Sequence, residues 1–432
     1  AYAQSDGTFD VGGALTINAV DQIDIRHDFR EGAAPTIRAG DGLTATAGGI
    51  SGGPGSLLAS GGTLSLTSTL GAVGVGGLDA VDITIDAAGA ASVEHAEADN
   101  DFTATGTSFR TGLNSIITGG DISVTSPGTI DLGNSTAGGS VFAEGQSIAF
   151  AAIDAGTVVT LRAQGFGPAD GVNGDSIVAR GYIAVTRRGI TLPKILNTGS
   201  LWASASNGPA TLGSVETDGN ISVSASGNVV GTFTAGGNIS LRSTADIIAS
   251  ANATGGYIDS SSGFVSEGTV FADADGNANV TGGAATMFGV RAGGSATLDT
   301  VTAGEDVFVL AGTTANLAGV TAGDDLYARA DGGITIQSSQ TSGTGPDGRS
   351  IVYQACCSNP TPFLQVQTST ADLSNVTLLA PTSTIDATDV TAFDNFTATA
   401  GGAVTAGGLI RSGLATTISG SDLTLAAITA GT

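Results

Sequence analysis

The chain has few basic residues and few cysteines, and each shortage excludes a class of protein. Lys and Arg number 14 against 39 Asp and Glu, which gives a net charge of -25. Nucleic acid is excluded as a partner, because binding to its phosphates needs a clustered basic surface. The two cysteines are adjacent, at Cys356 and Cys357, which excludes a disulfide framework. No apolar run approaches the roughly 20 residues that cross a bilayer, so the sequence predicts no transmembrane segment.

Charged residues of both signs are scarce, whereas glycine is abundant. Charged side chains make up 12% of the sequence, and the apolar fraction of 41% is enough to form a core. Glycine contributes 68 of the 432 residues, but it does not recur at every third position, which excludes collagen. The composition therefore indicates a folded chain with many tight corners.

A repeated unit contains many of these glycines. Thr302 and Thr321 each begin a Thr-Ala-Gly sequence that follows a valine and precedes a polar pair and an alternating apolar stretch. The two threonines are 19 residues apart, and similar steps of 17 to 19 residues recur along much of the chain. Self-similarity at a fixed period indicates a stack of identical structural steps.

Each step holds two or three short stretches with apolar residues at alternate positions, separated by Gly-Gly, Ala-Gly or Gly-Asn pairs. Alternation predicts strands and the pairs predict corners, while no stretch has the apolar period of a helix. A meander of hairpins would need longer strands joined by two-residue turns. We therefore predict an all-β fold, a parallel β-helix (β-solenoid) of about 18–19 residues per coil with loop insertions.

The prediction treats residues 1–432 as a single continuous β-solenoid of roughly 22 coils. Four stretches interrupt the repeat and are predicted to be loop insertions, at 26–42, 47–62, 162–176 and 340–363. The first concentrates charge, the second is rich in Gly and Ser, and the last holds both cysteines. Loops that leave a solenoid are common places for recognition.

Two laps resemble a known family: residues 118–134, TGGDISVTSPGTIDLGN, and residues 234–250, TAGGNISLRSTADIIAS. Their Gly/Asn corners and their Ala, Thr, Ser and Val content resemble the repeats of filamentous haemagglutinin-type proteins, which are large secreted bacterial β-helix adhesins. The Asn-Pro-Asn motifs of that family's secretion domain are not found in this sequence. The resemblance implies an extracellular, non-enzymatic bacterial surface protein, and it carries over no functional residue.

Two acidic stretches offer oxygen atoms that suit a hard cation such as Ca²⁺. In the first, alternate positions of one predicted strand would place three carboxylates on one face, those of Glu97, Asp99 and Asp101. The second resembles an acidic calcium loop and supplies Asp273, Asp275 and Asn277. Its glycine falls at the fourth position, whereas an EF-hand needs one at the sixth. A solvent-facing acidic strand and an ordinary turn are the alternative interpretations, and both are the commoner ones.

Acidic residues also recur at the corners, for example at Asp121, Asp306 and Asp325. If the coils stack in register, like charges would lie about 5 Å apart and repel each other. Interleaved residues such as Asn238 and Ser140, bound cations, or offset and solvated positions would each relieve that repulsion. Offset positions are the interpretation that the sequence favours.

Motifs for catalysis are lacking. His27 and His95 have no nucleophile at a recognisable elbow, and the sequence contains no H-E-x-x-H and no phosphate loop. We therefore predict that the protein is not an enzyme. A β-helix polysaccharide lyase or hydrolase is the alternative, for which the sequence offers few basic residues and only one tryptophan, Trp202, to stack on sugar. Cys356 and Cys357 leave open a strained vicinal disulfide, a cross-link to another chain, or free thiols.

The predicted function is that of a secreted bacterial surface protein, a structural solenoid rod that acts as an adhesin, a stalk or an extracellular fibre. A self-assembling extracellular filament, whose open coil ends stack between subunits, is an alternative. The expected partners are other copies or further solenoid segments of the same chain, and a host-cell, neighbouring-cell or polysaccharide surface. Ca²⁺ is the one cofactor for which the sequence offers candidate ligands.

Overall fold

The described residues of this protein form strands joined by turns, bends and irregular segments, and none of them belongs to a helix. Parallel strands form a β-solenoid of about 18 turns, so the predicted fold class is confirmed. The chain divides into two compact units, residues 1–207 (unit 1) and 208–432 (unit 2). The prediction of one continuous solenoid stays a prediction. The structure is a computed structural model that describes residues 8–25, 36–52, 56–112, 115–165, 171–181, 183–186, 189–253, 258–259, 264–265, 269–341, 349–354, 363–368 and 374–431.

The strands of unit 1, in the part of the chain that the structure describes, are β1 (Thr8–Val11), β2 (Leu15–Asn18), β3 (Gln22–Ile25), β4 (Thr36–Ala39), β5 (Leu43–Ala47), β6 (Gly49–Gly52), β7 (Leu57–Ser60), β8 (Thr63–Ser68), β9 (Val73–Ala80), β10 (Asp82–Ala87), β11 (Ala91–Ala98), β12 (Phe102–Thr105), β13 (Phe109–Thr111), β14 (Ile116–Thr118), β15 (Ile122–Thr125), β16 (Thr129–Asp131), β17 (Asn134–Ala137), β18 (Val141–Gly145), β19 (Ser147–Ala155), β20 (Val159–Ala163), β21 (Gly171–Ala179), β22 (Ile183–Thr186), β23 (Gly189–Asn197) and β24 (Leu201–Ala205).

The described strands of unit 2 are β25 (Ala210–Thr217), β26 (Ile221–Ala225), β27 (Val229–Ala235), β28 (Ile239–Ser243), β29 (Ile247–Ala253), β30 (Ile258–Asp259), β31 (Phe264–Val265), β32 (Thr269–Ala274), β33 (Ala278–Ala285), β34 (Met287–Ala292), β35 (Ala296–Ala303), β36 (Val307–Ala311), β37 (Thr314–Ala318), β38 (Val320–Ala322), β39 (Leu326–Ala330), β40 (Gly333–Thr341), β41 (Arg349–Gln354), β42 (Phe363–Thr368), β43 (Val376–Ala380), β44 (Ile385–Ala392), β45 (Phe396–Ala400), β46 (Val404–Ser412), β47 (Thr416–Ser419) and β48 (Leu423–Ala430).

One coil consists of a short straight strand, a corner and a longer bent strand. In the straight strand β10, alternate residues such as Ile83 and Ile85 are buried. In the bent strand β11 the alternation is interrupted at Glu94 and His95, which are both half-buried, and burial resumes at Ala96. Where the interruption is longer, two separate strands replace the bent one, as β13 and β14 do. Each coil therefore contains the two or three strands that its sequence pattern predicts.

The two kinds of strand form two parallel sheets in each unit. The straight sheet of unit 1 contains, among others, β10, β12, β15, β18, β20, β22 and β24. The bent sheet contains strands such as β11, β19, β21 and β23. Parallel pairing of equivalent strands places residues at equivalent positions of successive coils in columns along the stack.

These columns form the core. Phe102 pairs with Ile122, Ile122 with Val141, and Val141 with Val159, and all four side chains are 0% exposed. Burying one such side chain contributes roughly 1.5–3 kcal/mol. A single coil cannot cover its own apolar face, so the stability of each coil depends on its neighbours.

Long steps between paired residues mark places where the chain leaves the stack. Ile239 pairs with Val270, and Leu326 pairs with Val376, whereas regular coils pair residues 18 to 20 apart. The described parts of the two long segments are antiparallel, with β30 paired to β31 and β41 to β42. The predicted loop 340–363 falls mostly in the second segment, and its residues 342–348 and 355–362 lie outside the described residues. The first long segment, between Ile239 and Val270, was not predicted, because its Thr-Gly-Gly sequence has the form of an ordinary corner. Such insertions reduce the roughly 22 coils expected to about 18.

Other predicted loops contain strands of the stack. Strand β4 lies inside the range 26–42, and β6 and β7 lie inside 47–62. Their side chains Ile37, Ile50 and Leu58 are 6%, 2% and 1% exposed, and β4 pairs with both β1 and β7. The predicted loop boundaries are therefore corrected at these strands, because a narrow core needs only one or two apolar residues per strand. In 162–176, similarly, β21 begins at Gly171.

Side-chain oxygens at the corners bind the next coil. Oδ1 of Asp101 accepts a hydrogen bond from the backbone N–H of Asp121 at 2.8 Å, and Oδ1 of Asp121 accepts one from Ser140 at 2.6 Å. In unit 2, Oδ1 of Asn220 accepts one from the N–H of Asn238 at 2.8 Å. We name this series of bonds the corner ladder. It satisfies backbone donors between strands. Among the corner acids named from the sequence, Asp306 and Asp325 stack in register, because Oδ1 of Asp306 accepts a hydrogen bond from the N–H of Asp325 at 3.1 Å. The offset positions that were expected are therefore wrong for this pair.

Corner glycines form a further column in unit 1. The N–H of Gly138 donates to the carbonyl oxygen of Thr118 at 2.9 Å. That bond holds Gly138 so close to the preceding coil that a Cβ atom at this position would collide with the backbone of Gly119. Gly156 meets the backbone of Gly138 in the same way. The Thr-Ala-Gly signature of the repeat thus reflects close backbone contact between coils.

Candidate functional site

A cleft of about 660 Å³ opens in unit 1 at the corner between the straight and bent sheets. It belongs to three successive coils, at and just beyond the ends of β15, β18 and β20. Ligand pockets typically have volumes of roughly 300–1,000 Å³. The cleft is lined by Thr125, Ser126, Pro127, Glu144, Gly145, Gln146, Gln164 and Gly165.

The floor of the cleft is held by local hydrogen bonds. Pro127 has no N–H to continue the straight sheet, and β15 ends two residues before it. Ser126 is 3% exposed, and its Oγ accepts a hydrogen bond from the N–H of Gly128 at 3.1 Å, which closes the turn. On the next coil, the carbonyl oxygen of Gly145 accepts one from the N–H of Gln164 at 2.6 Å. The backbone at the cleft is therefore fixed, and its polar side chains form the walls.

One ion pair and one aromatic ring stand beside the cleft. Nη1 of Arg162 lies 3.7 Å from Oε2 of Glu144, and Cζ of Arg162 lies 5.7 Å from the centre of the Phe142 ring. The side-chain amide of Gln164 donates a hydrogen bond to the other carboxylate oxygen of Glu144. The arginine is thus held by a carboxylate and by the negative face of the ring. The group carries one positive and one negative charge, so it has no net charge.

Trp202 lies on the same outer face of the straight sheet. Phe142 pairs with Thr160, Thr160 with Ala184, and Ala184 with Trp202. Three strand spacings separate the Cα atoms of Phe142 and Trp202 by about 14 Å. Trp202 is 40% exposed, and it is the only tryptophan of the chain. The sequence singled out Trp202 by residue type, but the cleft was missed because it needs the register of three coils.

The structure corrects the geometry expected for the first acidic stretch. Strand β11 ends at Ala98, and the chain turns a corner before β12 begins at Phe102. Glu97, Asp99 and Asp101 are all exposed, but they do not share the face of one strand. Oδ1 of Asp101 takes part in the corner ladder, so this oxygen already has a partner.

An arginine side chain binds two carboxylates of the second acidic stretch. Nε of Arg291 donates to Oδ1 of Asp273, and Nη2 donates to Oδ1 of Asp275 at 3.0 Å. Burial lowers the pKa of Arg291, but the two carboxylates outweigh it and leave that pKa above its usual value. Oδ1 of Asn277 accepts a hydrogen bond from the N–H of Ser295 at 2.8 Å and belongs to the corner ladder. A cation at this place would have to displace Arg291 from Asp273 and Asp275.

Within the described residues, no group of three or more His, Cys, Asp and Glu side chains is placed to hold a metal ion. Binding of Ca²⁺ stays a prediction. Cys356 and Cys357 lie outside the described residues. The part of the chain that the structure describes also contains no helix long and apolar enough to cross a membrane.

Asp325 is a corner carboxylate whose pKa is shifted from its usual value. Its Oδ1 accepts hydrogen bonds from the backbone N–H of Asn375 at 2.8 Å and from the side-chain amide of Asn375 at 3.2 Å. Burial raises the pKa of Asp325; the bonds from Asn375 lower it, and the nearby charge of Asp394 raises it again. The net effect is a pKa above the usual value. Ionised Asp325 therefore costs folding free energy.

We expect Asp325→Asn to stabilise unit 2 at pH 7 by no more than about 1 kcal/mol. Asparagine keeps the Oδ1 acceptor and removes the charge. In the wild-type protein, the free-energy cost of ionised Asp325 is fully present at pH values above its raised folded-state pKa. It is lost as the pH falls through that value towards the unfolded-state pKa, because the folded form takes up the proton first. Urea unfolding at pH 7 and pH 4 measures the difference between the two proteins, which should shrink at pH 4.

The matched control for this prediction is Asp389→Asn. Asp389 is exposed, and its Oδ1 also accepts a hydrogen bond from a backbone N–H, that of Leu409 at 3.1 Å. A stabilisation of the Asp325 variant that is equal at both pH values, or shared by the Asp389 variant, would contradict the role of burial.

Comparison of the chain with protein-family models, with curated proteins and with solved structures gives no match. The residues described above are therefore the basis on which a function is assigned.

Proposed function

We propose that the protein is a non-enzymatic structural solenoid of a bacterial cell surface, which acts as an adhesin, a stalk or an extracellular fibre. The observation that carries this proposal is the parallel pairing of coil with coil in both sheets of each unit. Such pairing fixes the positions of outward side chains over a long surface. The repeat style that resembles filamentous haemagglutinin-type proteins supports the secreted location.

The chemistry of the cleft favours binding over cleavage. Among the lining residues that the structure describes, only Glu144 carries a carboxylate, and it is engaged by Arg162 and Gln164. Glycoside hydrolysis generally uses two carboxyl groups that flank the bond to be broken. A polysaccharide lyase or hydrolase is therefore the less supported alternative at this site.

Labelling of intact cells of the source organism tests the proposed location. Antibodies raised against the purified chain are expected to label unpermeabilised cells or the fibres around them. A cytoplasmic protein of the same organism serves as the control and should be labelled only after permeabilisation. Labelling of this protein that appears only after permeabilisation would overturn the proposal.

A further inference from the structure

The outer face of the straight sheet in unit 1 combines two features that nothing in the stacking of coils requires. Phe142 and Trp202 place aromatic rings on a face whose other residues are mostly small, such as Ser123 and Thr160. The cleft beside Phe142 supplies hydroxyl, amide and carboxylate groups from three coils. Trp202 is exposed and Phe142 is half-buried, and aromatic rings beside convergent polar groups are typical of binding sites.

This combination matches the chemistry of sugars. A sugar ring presents C–H groups on its faces, which pack against the negative face of an aromatic ring. Its hydroxyl groups both donate and accept hydrogen bonds. They match the bonding capacity that Glu144 and Gln164 keep beside the bond between these two side chains. The spacing of about 14 Å between Phe142 and Trp202 suits a chain of several sugar units better than a single one.

A peptide fits this face poorly. Extended peptides bind by adding a strand to a sheet edge, whereas β15, β18, β20 and β22 are each paired on both sides. Their outer face therefore offers no free backbone groups of the sheet, only side chains.

The charge of the site selects against anionic polymers. Arg162 is paired with Glu144, so the described side chains at the cleft carry no net positive charge to attract an acid sugar. The whole chain carries a net charge of -25, which repels polyanions at low and moderate ionic strength. A ligand without charge avoids this repulsion.

We propose that the outer face of the straight sheet in unit 1, from the cleft to Trp202, binds a neutral oligosaccharide segment. Phe142 and Trp202 stack on sugar rings, while Glu144 and Gln164 bind hydroxyl groups. The inference deepens the adhesin function proposed above, and its biological role rests on that function. It names a neutral glycan as the class of ligand.

Fluorescence titration of the full chain tests the proposal directly, because Trp202 is the only tryptophan. The probes are cellohexaose, xylohexaose, mannohexaose and maltohexaose, with hexagalacturonate as the anionic comparison. We expect a saturable change in Trp202 emission with at least one neutral hexasaccharide and weaker binding of hexagalacturonate. Isothermal titration calorimetry on the same samples gives the dissociation constant.

Two variants locate the site, and a third is the control. Phe142→Ala and Gln164→Ala should each weaken binding of the neutral hexasaccharide by about tenfold. Gln164 is exposed, so its variant keeps the fold even if the loss of Phe142 disturbs it. Phe9→Ala removes a ring that is 48% exposed elsewhere in unit 1 and should leave the affinity unchanged.

Three results would overturn the proposal: no binding of any neutral hexasaccharide at millimolar concentration, a preference for hexagalacturonate, or equal affinity of the wild type and both cleft variants. The labelling of cells fails or succeeds independently of these titrations. Surface labelling without glycan binding would remove the ligand and leave the structural function in place. Glycan binding by a protein that is not on the cell surface would keep the ligand and remove the proposed surface function.

Discussion

Replacement of Phe102 by alanine is expected to lower the free energy of unfolding of unit 1 by about 3–5 kcal/mol. The side chain is 0% exposed, and its neighbours above and below in the column are Ile83 and Ile122. Its ring also meets Phe109 edge to face, with 5.9 Å between the ring centres and an angle of 64°. Strands on both sides are fixed by backbone hydrogen bonds, so the walls cannot collapse fully into the cavity.

Urea unfolding followed by the fluorescence of Trp202 measures this loss, since the only tryptophan of the chain lies in unit 1. Phe9→Ala is the matched control, because the same atoms are removed from a ring that is 48% exposed, and it should change the free energy by less than about 0.5 kcal/mol. Similar unfolding curves for the two variants would contradict the burial of Phe102 in a packed core.

The second large effect is expected at a position that is exposed to solvent. Gly138→Ala should destabilise unit 1 by about 1–3 kcal/mol, although it adds only one methyl group. The added Cβ would collide with the backbone of Gly119 on the preceding coil. The bond from the N–H of Gly138 to the carbonyl of Thr118 must lengthen to relieve that collision.

Thermal and urea unfolding of this variant are compared with those of Gly12→Ala. A Cβ at Gly12 meets no atom within 4 Å, so this control changes the same residue type at an open position of unit 1. Gly12→Ala should be neutral or slightly stabilising, because it restricts the unfolded chain. Equal stability of the two variants would show that the corner tolerates a wider separation of coils than the structure has.

The repeat made the fold predictable. Thr302 and Thr321, which are equivalent in the sequence pattern, pair directly in the structure. Val307 likewise pairs with Leu326, and Val309 with Ala328. Alternation of apolar residues, glycine corners and a constant step are properties of the local sequence. Because they recur in each coil, the pattern of one coil was enough to predict the fold class.

The cleft was not predictable in the same way. Its residues come from three laps, of which the last is followed by a step from Val159 to Ile183 that the regular period does not give. Gln164 and Glu144 become neighbours only because Val141 pairs with Val159. The shared strand face expected for Glu97, Asp99 and Asp101 was wrong for a related reason. A strand was expected to continue through Asp99, where the chain instead turns a corner.

The corner ladder has a consequence for how the sequence of the protein can vary. Its acceptor is a side-chain oxygen that Asp and Asn share, and both residue types serve in it, as Asp121 and Asn220 do. Exchange of Asn for Asp at a corner therefore changes the surface charge but keeps the oxygen that joins one coil to the next. The net charge of the solenoid can vary at these positions without loss of the bonds between coils.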